Sequence, residues 1–85
     1  MSNPAPTLET LIAACGMPQK GERRYARVAL EAGLHVSFIR TNGRRNEPLE
    51  AWYVTSADGK LRISEAQVAA LLKLWSGAEI STVQG

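Results

Sequence analysis

The chain contains a single cysteine, Cys15, and a single histidine, His35. No disulfide can form within it, and a structural zinc site is excluded because such sites take about four cysteine or histidine ligands. Small secreted domains are usually stabilised by several disulfides. We therefore expect a cytoplasmic protein that holds no metal.

Long apolar runs are also absent. No uncharged apolar run approaches the roughly 18–20 residues that a membrane span needs, and residues 1–6 lack the charged and apolar regions of a signal peptide. We expect no membrane association. Residues 1–6 read as a disordered leader, residues 7–77 as a single domain, and residues 78–85 as a tail without a core-forming period.

The sequence shows no arrangement typical of an enzyme. Its glycines fall singly at turns, so there is no glycine-rich phosphate-binding loop, and no motif supports a nucleophilic pair of Cys15 with His35. Cys15 follows an apolar stretch near a helix end, a position that favours a buried, unreactive side chain. We expect neither catalysis nor a cofactor.

Two segments have helical periodicity. Thr7 offers a cap, apolar residues follow at helical spacing, and Gly16 with Pro18 ends the segment, which predicts a helix over residues 7–15. Ser64 and Gln67 form a capping box, and apolar residues then recur at helical spacing. This pattern predicts a second helix that continues to residue 77.

Residues 23–32 fit two periods. A helix would gather an apolar stripe of Tyr25, Val28, Ala29 and Ala32. A strand would turn Ala26, Val28 and Leu30 inward, and a loop at residues 31–33 would pair them in turn with Phe38, Val36 and Leu34. Because every inward side chain then meets another inward side chain, the strand is favoured, and the helix stays open as the alternative.

Strands are predicted over residues 34–41, 49–56 and 60–63, separated by segments with turn-forming dipeptides. The predicted fold class is α+β: an N-terminal helix, a three- to four-stranded antiparallel meander, and a C-terminal helix packed on one sheet face. The expected core comprises Leu8, Leu11, Ile12, Val28, Leu30, Val36, Phe38, Trp52, Val54, Val68, Leu71, Leu72 and Trp75.

The order of elements resembles two nucleic-acid-binding families. A helix followed by three strands and a helix resembles the double-stranded-RNA-binding domain, with residues 7–18 similar in placement to its first helix. That family has a lysine cluster at the start of its second helix, where this chain has Ser64, Glu65, Ala66 and Gln67. A three-stranded sheet followed by one helix also resembles the arm-binding domains of phage integrases, which read DNA with the outer face of the sheet.

Positive charge is concentrated in one stretch. Residues 20–45 hold seven of the ten basic residues and two of the eight acidic ones, although the whole chain carries a net charge of only +2. The strand interpretation predicts an outer face, turned away from the C-terminal helix, that carries Arg23, Tyr25, Arg27, His35, Ser37, Tyr53 and Thr55. Arg44 and Arg45 are predicted at the tip of the loop over residues 42–48.

These residues suggest two functions. Arginines interleaved with tyrosines can contact phosphates while their flat groups stack on bases, so we expect a non-catalytic nucleic-acid-binding or regulatory protein. The candidate binding residues are Arg23, Tyr25, Arg27, Arg44, Arg45 and Tyr53. The alternative is a protein-protein interaction module, an inhibitor or adaptor, that docks through its sheet edge or outer face.

Overall fold

The computed structural model describes residues 4–84, with side chains described through residue 83. The helices are α1 (Leu8–Cys15) and α2 (Glu65–Leu71), and the strands are β1 (Arg23–Ala29), β2 (His35–Thr41), β3 (Glu50–Ser56), β4 (Gly59–Ile63) and β5 (Ser81–Gln84). All strand pairs are antiparallel, in the order β4-β3-β2-β1-β5. The α+β class is confirmed, but the sheet has five strands instead of three or four. No helix within residues 4–84 is long and apolar enough to cross a membrane.

The hairpin of β1 and β2 has the predicted register. Val28 lies opposite Val36, and Ala26 lies opposite Phe38. The Leu30 N–H donates to the Leu34 carbonyl at 2.8 Å, which closes the turn. The three-residue turn places Gly33 at a φ of 74°, in the left-handed region that glycine adopts without strain. The helical alternative for residues 23–32 is wrong.

Both helices pack on one face of the sheet, which we call the inner face. Their side chains join the inward residues of β1, β2 and β3 in one cluster, with Phe38 and Trp52 in ring contact at 4.4 Å between centroids. Its buried members are Leu11, Cys15, Ala26, Val28, Leu30, Val36, Phe38, Trp52, Val68 and Leu72, and the predicted core residues Leu8, Ile12, Leu71 and Trp75 pack against it half-buried. Val54 is only half-buried, and its neighbour on β4, Leu61, is exposed because the helices do not cover this corner.

Local hydrogen bonds explain where the helices begin, and contacts with the end of β1 explain where α2 ends. Capping boxes form at Thr7 and at Ser64, each with its partner three residues on. The prediction that the second helix continues to residue 77 is wrong, because α2 ends at Leu71 and a single 3₁₀ turn follows. Trp75 then forms a β-bridge with Leu30, and the Ser76 hydroxyl donates to a β1 carbonyl at 2.8 Å. Pairing with the end of β1 therefore replaces the last predicted turns of helix.

The segment predicted as a tail, residues 78–85, contributes β5. This strand pairs with β1 on the side away from β2, with Ser81 opposite Arg27 and Val83 opposite Tyr25. The strand has only four residues, and its described side chains are exposed, so its sequence carries no buried period. Of the predicted leader, residues 1–3 lie outside the described residues, whereas Pro6 is buried.

A substitution at Leu72 tests whether the last helical turn packs on the inner face. Its side chain is 4% exposed, whereas that of Leu74 is 41% exposed. We expect Leu72→Ala to lower the free energy of unfolding by about 2–5 kcal/mol, because it leaves a cavity in the core. Leu74→Ala makes the same chemical change at an exposed site and should cost about 1 kcal/mol or less. Urea unfolding of both variants measures the difference, and equal losses would contradict the packing.

Candidate functional site

The outer face of the sheet, opposite the helices, brings together side chains from all five strands. Residues directly opposite each other on neighbouring strands share a face. One row therefore crosses the whole sheet, through Arg62, Tyr53, Ser37, Arg27 and Ser81. The adjoining rows hold Lys60, Thr55, His35 and Ala29 on one side, and Ala51, Ile39, Tyr25 and Val83 on the other. The predicted outer-face positions of Arg23, Tyr25, Arg27 and Tyr53 are thus confirmed.

The described strand positions of the outer face carry charge of one sign. They hold four cationic side chains, those of Arg23, Arg27, Lys60 and Arg62, and no carboxylate. Glu50, the single acidic residue within the described strands, is on the inner face, where it accepts from Arg40 at 3.3 Å. A low-dielectric surface lined by one sign of charge attracts the opposite charge from solution. The outer face is therefore suited to a polyanion.

A shallow groove of about 290 Å³ crosses this face. It is lined by Arg23, Tyr25, Arg27, Ser37, Ile39, Thr55 and Lys60. Ser37 forms part of its floor and is only 8% exposed, because longer side chains surround it. The Lys60 ammonium lies 4.7 Å from the centroid of the Tyr53 ring, a cation-π contact. The groove thus combines aromatic surface with cations along its sides.

The loop between β2 and β3 differs from the expectation of two free arginines at its tip. The Arg44 Nε donates to Glu47 Oε2 at 2.5 Å, and its Nη1 donates to the Gly21 carbonyl at 3.1 Å. Glu47 also accepts from Arg23 Nη1 through its other oxygen, at 3.2 Å. Arg45 is exposed. Arg44 is therefore held close to the outer face, next to Arg23.

Two further arginines of the basic stretch support α1 on the inner face. The Arg24 Nε donates to the Cys15 carbonyl at 2.9 Å, and Arg40 Nη1 donates to the Gly16 carbonyl at 3.2 Å. These carbonyls belong to the C-terminal end of the helix, where unpaired acceptors and the helix dipole favour positive charge. Arg24 and Arg40 are thus occupied within the fold.

Lys60 and Arg62 are outer-face cations that are not among the predicted binding residues. Each lies opposite a β3 residue of the same face, Lys60 opposite Thr55 and Arg62 opposite Tyr53. The two-residue turn after Ser56 fixes that register, since Ser56 pairs with Gly59. The hairpin spacing in the sequence therefore predicts the face on which Lys60 and Arg62 lie as well as the strand itself.

Cys15 and His35 lie on opposite faces of the sheet. Cys15, the last residue of α1, is in the core, whereas His35 is on the outer face opposite Thr55. Burial raises the pKa of the Cys15 thiol, although Arg40 and Arg24 nearby act in the opposite direction. Among the described residues, no group of three or more His, Cys, Asp and Glu side chains could hold a metal ion.

Comparison of the chain with models of known protein families, with curated proteins and with solved structures found no match. The function proposed below therefore rests on the geometry of the chain itself.

The burial of Cys15 predicts low thiol reactivity. Its side chain is 1% exposed and its raised pKa disfavours the thiolate, which is the form that attacks disulfide reagents. We expect the native protein to react with an aromatic disulfide at mildly alkaline pH far more slowly than the same protein unfolded in guanidinium. Absorbance of the released thiolate follows both reactions. A native rate equal to the unfolded rate would contradict the placement of α1.

Proposed function

We propose that this protein binds nucleic acid, without catalysis, through the outer face of its sheet. The observation that carries the proposal is the charge on that face, whose described strand positions hold four cations and no carboxylate around two tyrosines, although the loop residue Glu47 pairs with one of the four, Arg23. Phosphate contacts supply most of the sequence-independent affinity of nucleic-acid-binding proteins. The proposal includes a cytoplasmic location, which the lone, unpaired Cys15 supports.

The spacing of the side chains suits an extended ligand. Arg27 and Arg62 lie in the same cross-strand row, on β1 and β4. Three strand spacings place their backbones about 14 Å apart, far enough for contacts with different phosphates of one chain. Tyr25 and Tyr53 lie on strands within that span and remain partly exposed.

A single-stranded ligand fits this surface better than a duplex. Tyrosine rings bind nucleic acid by stacking on bases, and bases are free to stack on a protein only where they are unpaired. The described helices lie on the opposite side of the sheet from the cationic face. Neither helix is therefore placed to enter a major groove of a duplex bound at that face. We therefore expect single-stranded DNA or RNA to bind more tightly than a duplex of the same length.

The alternative function, a protein-protein interaction module, draws support from β5. This strand forms one edge of the sheet, its described side chains carry no charge, and Val83 is 46% exposed. Charged residues usually protect an exposed sheet edge against pairing with another strand. A partner strand could thus extend the sheet beyond β5, and such backbone pairing would depend little on salt concentration.

Alanine substitutions of cationic residues on the two sides of the molecule test the proposal. Lys60→Ala removes a cation from the outer face, and Lys73→Ala removes the same charge from the exposed side of the last helical turn. We expect Lys60→Ala and Arg27→Ala to weaken binding of a fluorescent oligothymidylate and to lower the slope of log affinity against log salt by about 0.7 each. Fluorescence anisotropy at several salt concentrations gives both quantities.

The Lys73→Ala variant is the control for net charge, and it should keep the slope of the wild type. Melting temperatures of all three variants should be close to that of the wild type, because the substituted side chains lie on the surface. Equal slopes for Lys60→Ala and Lys73→Ala would contradict binding at the outer face. Absence of wild-type binding to single-stranded DNA and RNA at about 50 mM salt, where electrostatic attraction is strong, would exclude the function.

A further inference from the structure

Two arginines converge on one carboxylate at the end of the outer face. Glu47 accepts from Arg44 at 2.5 Å through one oxygen and from Arg23 at 3.2 Å through the other. Arg23 also lines the groove of the outer face. A carboxylate bridged by two guanidinium groups occupies the position that two non-bridging oxygens of a phosphate would take, because both anions suit the planar donors of arginine.

We propose that Arg23 and Arg44 form a phosphate-binding subsite, which the Glu47 carboxylate fills in the free protein and a phosphate of the ligand takes over on binding. The proposal rests on the nucleic-acid-binding function above and assigns a specific place to one backbone phosphate. The subsite lies where the groove meets the loop between β2 and β3.

The arginines are held in place by more than Glu47. The Arg44 guanidinium also donates to the Gly21 carbonyl, and Gly21 in turn donates its N–H to the Asn42 carbonyl at 2.6 Å. Arg23 is a residue of β1, so its backbone is fixed in the sheet. Removal of the Glu47 charge should therefore leave the two cations close together and free to bind another anion.

The contact of Glu47 with Arg23 is incomplete. It uses Nη1 alone. Arginine binds phosphate most strongly through two parallel N–H groups. A phosphate that makes two such contacts with Arg23 would therefore bind it more strongly than Glu47 does. The rest of a long ligand can hold the phosphate in the position that these contacts need.

Glu47 is also able to leave. Its side chain is 28% exposed, and ion pairs at such exposure are weak and screened by salt. The base of the loop is fixed separately, since the Thr41 hydroxyl donates to the Pro48 carbonyl at 2.7 Å and the Thr41 N–H donates to the Leu49 carbonyl. The Glu47 side chain can thus rotate into solvent without unfolding the loop.

The substitution Glu47→Gln tests the subsite. Glutamine has the same shape but no charge, so it competes less with a phosphate for the two arginines. Glu79→Gln is the matched control, because Glu79 is exposed and lines a groove beside Pro4 and Trp75, on the helical side of the molecule. We expect Glu47→Gln to bind a fluorescent oligothymidylate about fivefold more tightly than Glu79→Gln at low salt.

The gain should also depend on Arg44. Adding Arg44→Ala to Glu47→Gln should remove the gain, while the melting temperatures show that each variant is folded. If Glu47 only pins the loop, Glu47→Gln will bind no more tightly than Glu79→Gln, or more weakly. That result would overturn the subsite while the binding of the wild type still supports the proposed function.

A second probe separates the subsite from the function. Inorganic phosphate added to the Glu47→Gln protein should shift the side-chain Nε–H signals of Arg23 and Arg44 in an NMR spectrum, and leave that of Arg24 in place. If no form of the protein binds the oligonucleotide, the proposed function fails. The phosphate titration then decides the subsite alone: shifts at Arg23 and Arg44 support it, and their absence overturns it.

Discussion

The register of β1 against β2 decides which side chains face the helices and which face solvent. Side chains alternate between the two faces of a strand, so a slip of one residue would turn every apolar side chain of β1 outward. With Val28 opposite Val36, the apolar residues of both strands face the helices. The same register sends Arg23, Tyr25 and Arg27 to the other face. The core and the cationic surface are therefore two consequences of one pairing.

Five of the six arginines in the basic stretch have one of three roles in the structure. Arg24 and Arg40 face inward and hold the C-terminal carbonyls of α1. Another pair, Arg23 and Arg44, shares one carboxylate at the rim of the outer face. The remaining outer-face cations come from β1 and from β4, which lies outside the basic stretch. The distribution of charge along the sequence therefore predicts the positive sign of the outer face correctly, but it does not predict which residues carry that charge.

The sequence predicts the features that depend on residues near one another in the chain. The cap at Thr7, the capping box of Ser64 with Gln67, the three-residue turn and the register of the first hairpin followed from residues close together in the chain. What was missed depends on distant contacts. Trp75 ends the helical segment early because it meets Leu30, and Ser81–Gln84 becomes a strand because β1 has a free edge there. The engagement of Arg44 combines a local ion pair with Glu47 and a contact with Gly21, which is far from it in sequence.

Binding of nucleic acid on the outer face would leave the helical side of the molecule free. An NMR titration of the wild-type protein with oligothymidylate tests it most directly, because side-chain signals report on both sides at once. We predict progressive shifts of the Arg27 and Arg62 Nε–H signals and of the Tyr25 and Tyr53 rings. The indole N–H of Trp75, which donates to the Ala78 carbonyl on the helical side, should stay in place. Shifts confined to Trp75 and the helices, with the outer face unchanged, would contradict the account.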